Sequence, residues 1–300
     1  MITPAKLNKG DKIGIIAPSR KINPEEIKAS IKVFESWGLD VSLGKNLFKE
    51  DRQFSGTDSE RARDLQDMLD NPEIKAIVCA RGGYGTIRIV DLVDYTAFVK
   101  HPKWIVGYSD ITALHAQLNQ NLKVKSIHGT MPINFPADLT ENKSTKTLKK
   151  ALFGEENFYE IDAHDFNRNG KVSGELIGGN LSVIYSIAGT KFDIDTSGKI
   201  LLIEDLDEYL YHIDRMMMNI KYSGKLDNLK GLIVGGMTKM NDNDIPFGKT
   251  AYEIIQDVVQ DYDFPVCYNF PVGHIKNNLA LILGKESEIE IKNNSVILKN

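Results

Sequence analysis

The chain has 300 residues, 42% of them hydrophobic and 26% charged, with a formal net charge of −4. That length suggests about two domains and enough chain to bury a real core, and a slightly acidic, interspersed charge argues against nucleic acid as the main partner. No apolar run approaches the ~20 residues of a membrane span, the polar start from Met1 to Lys12 is unlike a signal peptide, and the cysteines, Cys79 and Cys267, read as two buried, reduced thiols without metal spacing.

Lys12 to Ala17 (KIGIIA) is a short apolar run stopped by Pro18, which predicts a first strand. Asn23-Pro24 then supplies an N-cap and a proline at the first helical position, and Trp37-Gly38 a stop. A second strand is expected near Val41. Thr57 to Leu69 opens on Thr57, Asp58 and Ser59 with Glu60 behind them, the start of an amphipathic helix. Ile74 to Ala80 predicts a buried strand running into Arg81-Gly82-Gly83-Tyr84-Gly85. Lys103 to Gly107 predicts another, followed by a helix from about Ile111 to Asn119 and a strand at Val124 to His128. Strands alternating with helices imply right-handed crossovers and a mostly parallel sheet.

The stretch from Pro136 to Gly170 breaks that rhythm with a short basic helix, whose Lys146 to Lys150 reads as a solvated face, and a polar segment, Asp162 to Gly170, expected to be a linker. Short strands then dominate: Leu201 to Ile203, Gly231 to Val234, Pro265 to Tyr268, Leu279 to Leu283, and Ile289 to Leu298 around Asn293-Asn294. Helices are expected at Leu181 to Ala188, Ile213 to Tyr222 and Lys249 to Val259. The fold class is therefore α/β. Residues 1–160 would form an N-terminal domain with a mostly parallel, flavodoxin- or amidotransferase-like sheet and flanking helices. Residues 171–300 would form a smaller C-terminal α+β domain, partly barrel-like.

Three segments place reactive side chains just after apolar runs: Gly107-Tyr108-Ser109-Asp110, Ile203-Glu204-Asp205 and Pro271-Val272-Gly273-His274. A hydroxyl becomes a good nucleophile when an imidazole takes its proton and a carboxylate orients that imidazole. The order Ser, acid, His is that of α/β-hydrolases. Each residue also has a plain reading. Ser109 or Asp110 could simply cap a helix, and the strict G-x-S-x-G elbow is absent. Glu204 sits among four acidic residues in five positions, which usually means a solvated turn or helix start. His274 could be an ordinary loop histidine. The three glycines of Gly82 to Gly85 permit positive φ and close backbone approach. They suit a tight turn, a phosphate cradle or an oxyanion site, and they match neither G-x-G-x-x-G nor the Walker pattern.

As a set, these residues resemble the LD-carboxypeptidase family of serine peptidases, the murein tetrapeptide carboxypeptidases and their microcin-immunity relatives. The resemblance covers nearly the whole chain and rests on GDKIGIIAPS (Gly10 to Ser19), RGGYG (Arg81 to Gly85), GYSDIT (Gly107 to Thr112), GGNL (Gly178 to Leu181), EDLDEYLYHIDR (Glu204 to Arg215) and PVGH (Pro271 to His274). It implies Ser109 as nucleophile, His274 as general base and then acid, and Glu204 as the carboxylate orienting His274. The backbone N–H groups of Gly83 and Asp110 would form the oxyanion hole, and the active site would lie between the two domains. It further implies no metal and no organic cofactor, a murein tetrapeptide losing terminal D-alanine as substrate and a homodimer; the charge, the reduced thiols and the lack of an apolar span add the expectation of a cytoplasmic location with neither nucleic acid nor membrane as partner. The alternatives are a microcin-immunity-type peptidase cleaving a peptidyl nucleotide and a non-catalytic binder of wall peptides. One departure stands out: His128-Gly129-Thr130-Met131 replaces the family's usual His-Gly-Pro-Met, which bears on a pocket wall and the fine detail of substrate choice rather than on reaction type.

Overall fold

The structure is a computed structural model describing every residue from Met1 to Asn300. In chain order it contains β1 (Lys12–Ile16), α1 (Pro24–Ser36), β2 (Asp40–Leu43), α2 (Asp58–Asp70), β3 (Ile74–Cys79), α3 (Thr86–Ile89), α4 (Thr96–Lys100) and β4 (Trp104–Gly107). A 3-10 turn over Ser109–Ile111 leads into α5 (Thr112–Ala116), then β5 (Ser126–His128) and α6 (Lys143–Leu152). There follow β6 (Phe158–Asp162), β7 (Gly170–Asn180), α7 (Leu181–Ile187), β8 (Ile200–Leu206), α8 (Leu210–Tyr222), β9 (Gly231–Thr238) and α9 (Ala251–Val259). The chain closes with β10 (Val266–Cys267), β11 (Leu281–Leu283), β12 (Glu286–Ile291) and β13 (Ser295–Lys299).

Two compact units emerge: Met1–Glu155 with Leu279–Ile282, and Glu156–Asn278 with Leu283–Asn300. The chain thus passes between units near Glu155, and the polar segment expected as a linker lies inside the second unit, between β6 and β7. Local sequence pattern predicts neither of those strands. The β7 sequence is interrupted by Gly174, Gly178 and Gly179, and β6 finds its antiparallel partner in β13, at the far end of the chain. Such pairing leaves no local trace.

In the first unit the sheet order is β11-β5-β4-β3-β1-β2, and the β2-β1-β3-β4-β5 pairs are parallel. Its central strands read as continuous apolar runs because both faces are covered. Ile13, Ile15, Val78 and Val106 join one core with Ile27 and Phe34 of α1 and Leu148 of α6. Capping boxes start α1 (Asn23 with Glu26) and α2 (Thr57 with Glu60), each satisfying N–H groups that the helix cannot. The expected helix after β4 instead opens as a 3-10 turn and widens to a π turn over Gln117–Asn121. This strand order places a topological switch point between β1 and β3, where ligands bind beyond the carboxyl ends of the strands. Ser19 and Arg20 follow β1, Gly82 and Gly83 follow β3, and Ser109 follows β4.

The second unit carries a seven-stranded sheet, β10-β9-β8-β7-β12-β13-β6. The pairs from β7 to β10 are parallel and those from β7 to β6 antiparallel. The expected barrel character is slight. The sheet is not a closed barrel, and an isolated antiparallel bridge from Arg168 to Val266 ties the segment before β7 to the β10 edge.

Candidate active site

Ser109 leaves β4 through an extended Tyr108 (φ −149°) and itself takes φ +66°. That left-handed conformation costs a non-glycine residue about 1–2 kcal/mol, so the surroundings must enforce it. Asp110 does so. Its carboxylate, buried at 4% exposure, accepts hydrogen bonds from Ser19 Oγ (2.5 Å) and from the Thr86 N–H (2.8 Å) at the start of α3. Two charge-assisted bonds of about 1.5–3 kcal/mol each outweigh the strain. Asp110 therefore anchors its turn to two other strand-end loops. His115 adds a bond to the Gly107 carbonyl (2.9 Å) from within α5, and burial pushes its pKa down to about 3, so it is neutral.

The glycine loop lies against this turn. A Cβ on Gly82 would stand 2.8 Å from Ser109 Cβ and 2.9 Å from Ser109 Oγ, so only glycine fits. Gly83 takes φ +118°, a value open to glycine. The buried Arg61 guanidinium holds the loop, donating to the carbonyls of Pro18 (2.5 Å) and Gly85 (2.9 Å) and pairing with Asp58. Thr130, the departure from the family's proline, is buried at 3%, and Met131 beside it reaches within 3.5 Å of where a Gly82 Cβ would be.

On the second unit, the β8–β9 register shifts between Ile203 and Asp205. β8 is covered on both faces along Ile200 to Asp205, so Glu204 (0% exposed) and Asp205 (2%) are both buried although alternation sends neighbouring side chains to opposite faces. Glu204 Oε2 accepts from His274 Nδ1 at 2.7 Å and from the His274 N–H at 3.2 Å. Gly273 (φ +96°) makes this approach possible, since a Cβ there would collide with Glu204 Oε2. With Nδ1 donating to the carboxylate, the neutral imidazole presents Nε2 as its basic nitrogen. Burial lowers the His274 pKa, but the charge and hydrogen bond of Glu204, with Asp205 behind it, prevail and raise it above the ordinary value. Asp205, burdened by burial and by the Glu204 charge, has its pKa raised to about 7 despite bonds from the Leu206 N–H and Asn180 Nδ2.

A serine held in a strained turn beneath a glycine loop, and a histidine bonded to a buried carboxylate, are components of acyl transfer. Residues 13–129 match the LD-carboxypeptidase N-terminal domain and residues 173–289 the LD-carboxypeptidase C-terminal domain. The chain belongs to the LD-carboxypeptidase family. It is thus a peptidase of the serine class. A Bacillus subtilis (strain 168) protein named Probable murein peptide carboxypeptidase is 36% identical over 99% of this chain and 94% of its own length. The crystal structure of muramoyltetrapeptide carboxypeptidase from Oxalobacter formigenes superposes with a TM-score of 0.87 at 28% identity, covering 96% of this chain and 98% of that one. The Microcin C7 self-immunity protein MccF of Escherichia coli is 27% identical over 97% of this chain and 94% of its own length.

For this LD-carboxypeptidase-family chain, the structure gathers Ser109, Asp110 and the glycine loop on the first unit, and Glu204 with His274 on the second. Sequence reasoning missed the supporting cast: Ser19, Thr86, Arg61 and Asp205. Arg61 had a signal, a charge on the buried face of an amphipathic helix in line with Leu65 and Met68. Asp205 had none, because it looked like one of several solvated acids.

Proposed function

We propose that the chain is a serine carboxypeptidase that cleaves an L,D-peptide bond, releasing terminal D-alanine from a peptidoglycan tetrapeptide in cell-wall recycling. The observation that carries this reading is the buried Glu204–His274 pair at 2.7 Å, an oriented base of the kind a serine nucleophile needs. Ser109 Oγ attacks the carbonyl while His274 Nε2 takes its proton. The N–H groups of Gly83 and Asp110 stabilise the oxyanion. His274 then protonates the departing amine and D-alanine leaves. A water, deprotonated by His274, attacks the acyl ester; the bond to Ser109 Oγ breaks, and His274 returns the proton to that oxygen. Glu204 stays ionised throughout and stabilises the imidazolium. No step calls on a metal or an organic cofactor.

The murein-named relatives support the substrate class. MccF supports a second reading, an acyl bond in a peptidyl nucleotide, served by the same residues. A wall-peptide binder would need neither an oriented histidine nor a strained serine. A homodimer working in the cytoplasm completes the proposal, and light scattering behind size-exclusion chromatography tests the dimer. The deciding experiment incubates wild-type and Ser109→Ala protein with a muropeptide tetrapeptide and with a peptidyl nucleotide, read by mass spectrometry. Loss of one D-alanine in the wild type alone supports the proposal. Cleavage of only the nucleotide conjugate would replace it with the second reading.

A further inference from the structure

We propose that Arg20 recognises the substrate's free C-terminal carboxylate, making it the residue that confines this site to the end of a peptide. This rests on the carboxypeptidase reading above.

Arg20 stands at the switch point of the first sheet, immediately after Ser19, whose hydroxyl is bonded to Asp110. Its own backbone is pinned by an isolated antiparallel bridge to Phe54. Its side chain lies across Gly83: a Cβ there would be 2.6 Å from Arg20 Cγ, 2.5 Å from Cδ and 3.0 Å from Nε. The absence of a side chain at Gly83 therefore does two things. It frees the backbone for positive φ, and it provides the floor on which the arginine stem rests.

Arg20 is an exposed residue and makes no ion pair, unlike the other cations of these loops. Lys21 pairs with Glu50, Arg88 and Arg61 with Asp58, and Arg81 approaches Glu26 while donating to the Lys21 carbonyl. A positioned, unneutralised arginine next to a nucleophile is available for an anionic ligand, and its planar fork matches a carboxylate in two parallel hydrogen bonds.

The dimensions agree. Gly82 abuts Ser109 Oγ and Gly83 abuts Arg20 Cδ. With adjacent Cα atoms about 3.8 Å apart, Arg20 Cδ lies no more than about 12 Å from Ser109 Oγ. In a peptide about to be cut, the terminal carboxylate carbon lies at most about 4 Å from the scissile carbonyl carbon. The attacking oxygen is about 3 Å from that carbonyl on its other side. A salt-bridged guanidinium then falls within the same span. A terminal D-alanine offers an N–H, a methyl and this carboxylate for recognition, and the carboxylate is the one charged group among them and the one that marks a chain end.

The test compares wild type, Arg20→Gln and Arg20→Lys on a tetrapeptide ending in D-alanine and on its C-terminal amide. Calorimetric binding of both peptides to Ser109→Ala and Ser109→Ala/Arg20→Gln runs alongside. Arg20→Gln should lose about 10- to 100-fold in kcat/KM on the acid, mainly through KM, and change little on the amide, so that the preference collapses; Arg20→Lys should fall between. If Arg20→Gln keeps the wild-type ratio of acid to amide, the role of Arg20 is refuted while the carboxypeptidase reading stands. If wild type cleaves neither peptide, yet Ser109→Ala prefers the acid and Arg20→Gln abolishes that preference, the reading falls and the carboxylate site stands. Absence of any acid preference in binding refutes the site.

Discussion

Glu204→Gln is the most informative single substitution, because it removes a charge while keeping a side chain of nearly the same shape in a tight place. Glu204 is fully buried, its Oε2 accepts from both Nδ1 and the N–H of His274, and Gly273 leaves no spare room around that oxygen. The amide keeps the volume and can keep one hydrogen bond, but it no longer stabilises an imidazolium. A charge-assisted bond is worth about 1.5–3 kcal/mol, and an amide NH2 turned toward Nδ1 would also select the wrong tautomer. Together these predict a drop in kcat of about 10²- to 10⁴-fold. The pH profile gives a sharper check. In wild type, burial pulls the His274 pKa down while Glu204 and then Asp205 push it up, with a net rise. Without the Glu204 charge, burial faces Asp205 alone, so the acidic limb of kcat/KM should move to lower pH. Stability should follow by linkage. A histidine whose folded pKa is raised contributes stability present below its unfolded pKa of about 6.5 and lost as pH rises through the folded value. Asp205, raised to about 7, likewise makes wild type less stable as pH climbs toward neutrality. The stability deficit of Glu204→Gln should therefore be largest in acid and shrink or reverse toward pH 8. Steady-state kinetics and thermal melts between pH 5 and 9 test both. A variant within about threefold of wild-type kcat, or an acidic limb displaced upward, would refute the pairing of Glu204 with a working base.

Ser109→Ala should keep the fold and lose about 10⁴- to 10⁶-fold in turnover, measured by D-alanine release. Ser109→Gly should be equally inactive yet melt at or above Ser109→Ala, because relief of the φ +66° strain, about 1–2 kcal/mol, exceeds the chain-entropy cost of glycine; a clearly lower melting point would show that the turn is unstrained in solution. Gly82→Ala should cut turnover at least about 100-fold with a modest loss of stability, since the new methyl meets Ser109 Oγ at 2.9 Å and displaces the reacting atom. Asp110→Ala should destabilise the first unit by about 2–4 kcal/mol in denaturant titration, because Ser19 and the Thr86 N–H lose a buried acceptor. Turnover should survive a chelator such as EDTA; inhibition reversed by an added divalent ion would contradict a metal-free serine mechanism.

Much of this molecule could be read from local pattern. The apolar run KIGII, the capping boxes at Asn23 and Thr57, and the glycine punctuation of the β3 loop each obey rules of short range, so β1, α1, α2 and β3 were foreseeable in place and type. Ser109, Glu204 and His274 stand out in the sequence as residues after apolar runs and by their motifs. Burial and partnership were not foreseeable, because they join positions far apart in the chain. Glu204 meets His274 across 70 positions, and Asp110 meets Ser19 across 91. Four neighbouring acids, Glu204 to Glu208, look alike in sequence. The fold separates them physically: Glu204 and Asp205 lie in a strand covered on both faces and are buried, whereas Asp207 lies just past its end and is exposed. Likewise, Gly83 signals only a permissive backbone until the fold lays Arg20 over it. Periodicity and turn chemistry decide which elements form. Which charges lose their water, and which atoms replace it, is decided only when distant strands come together.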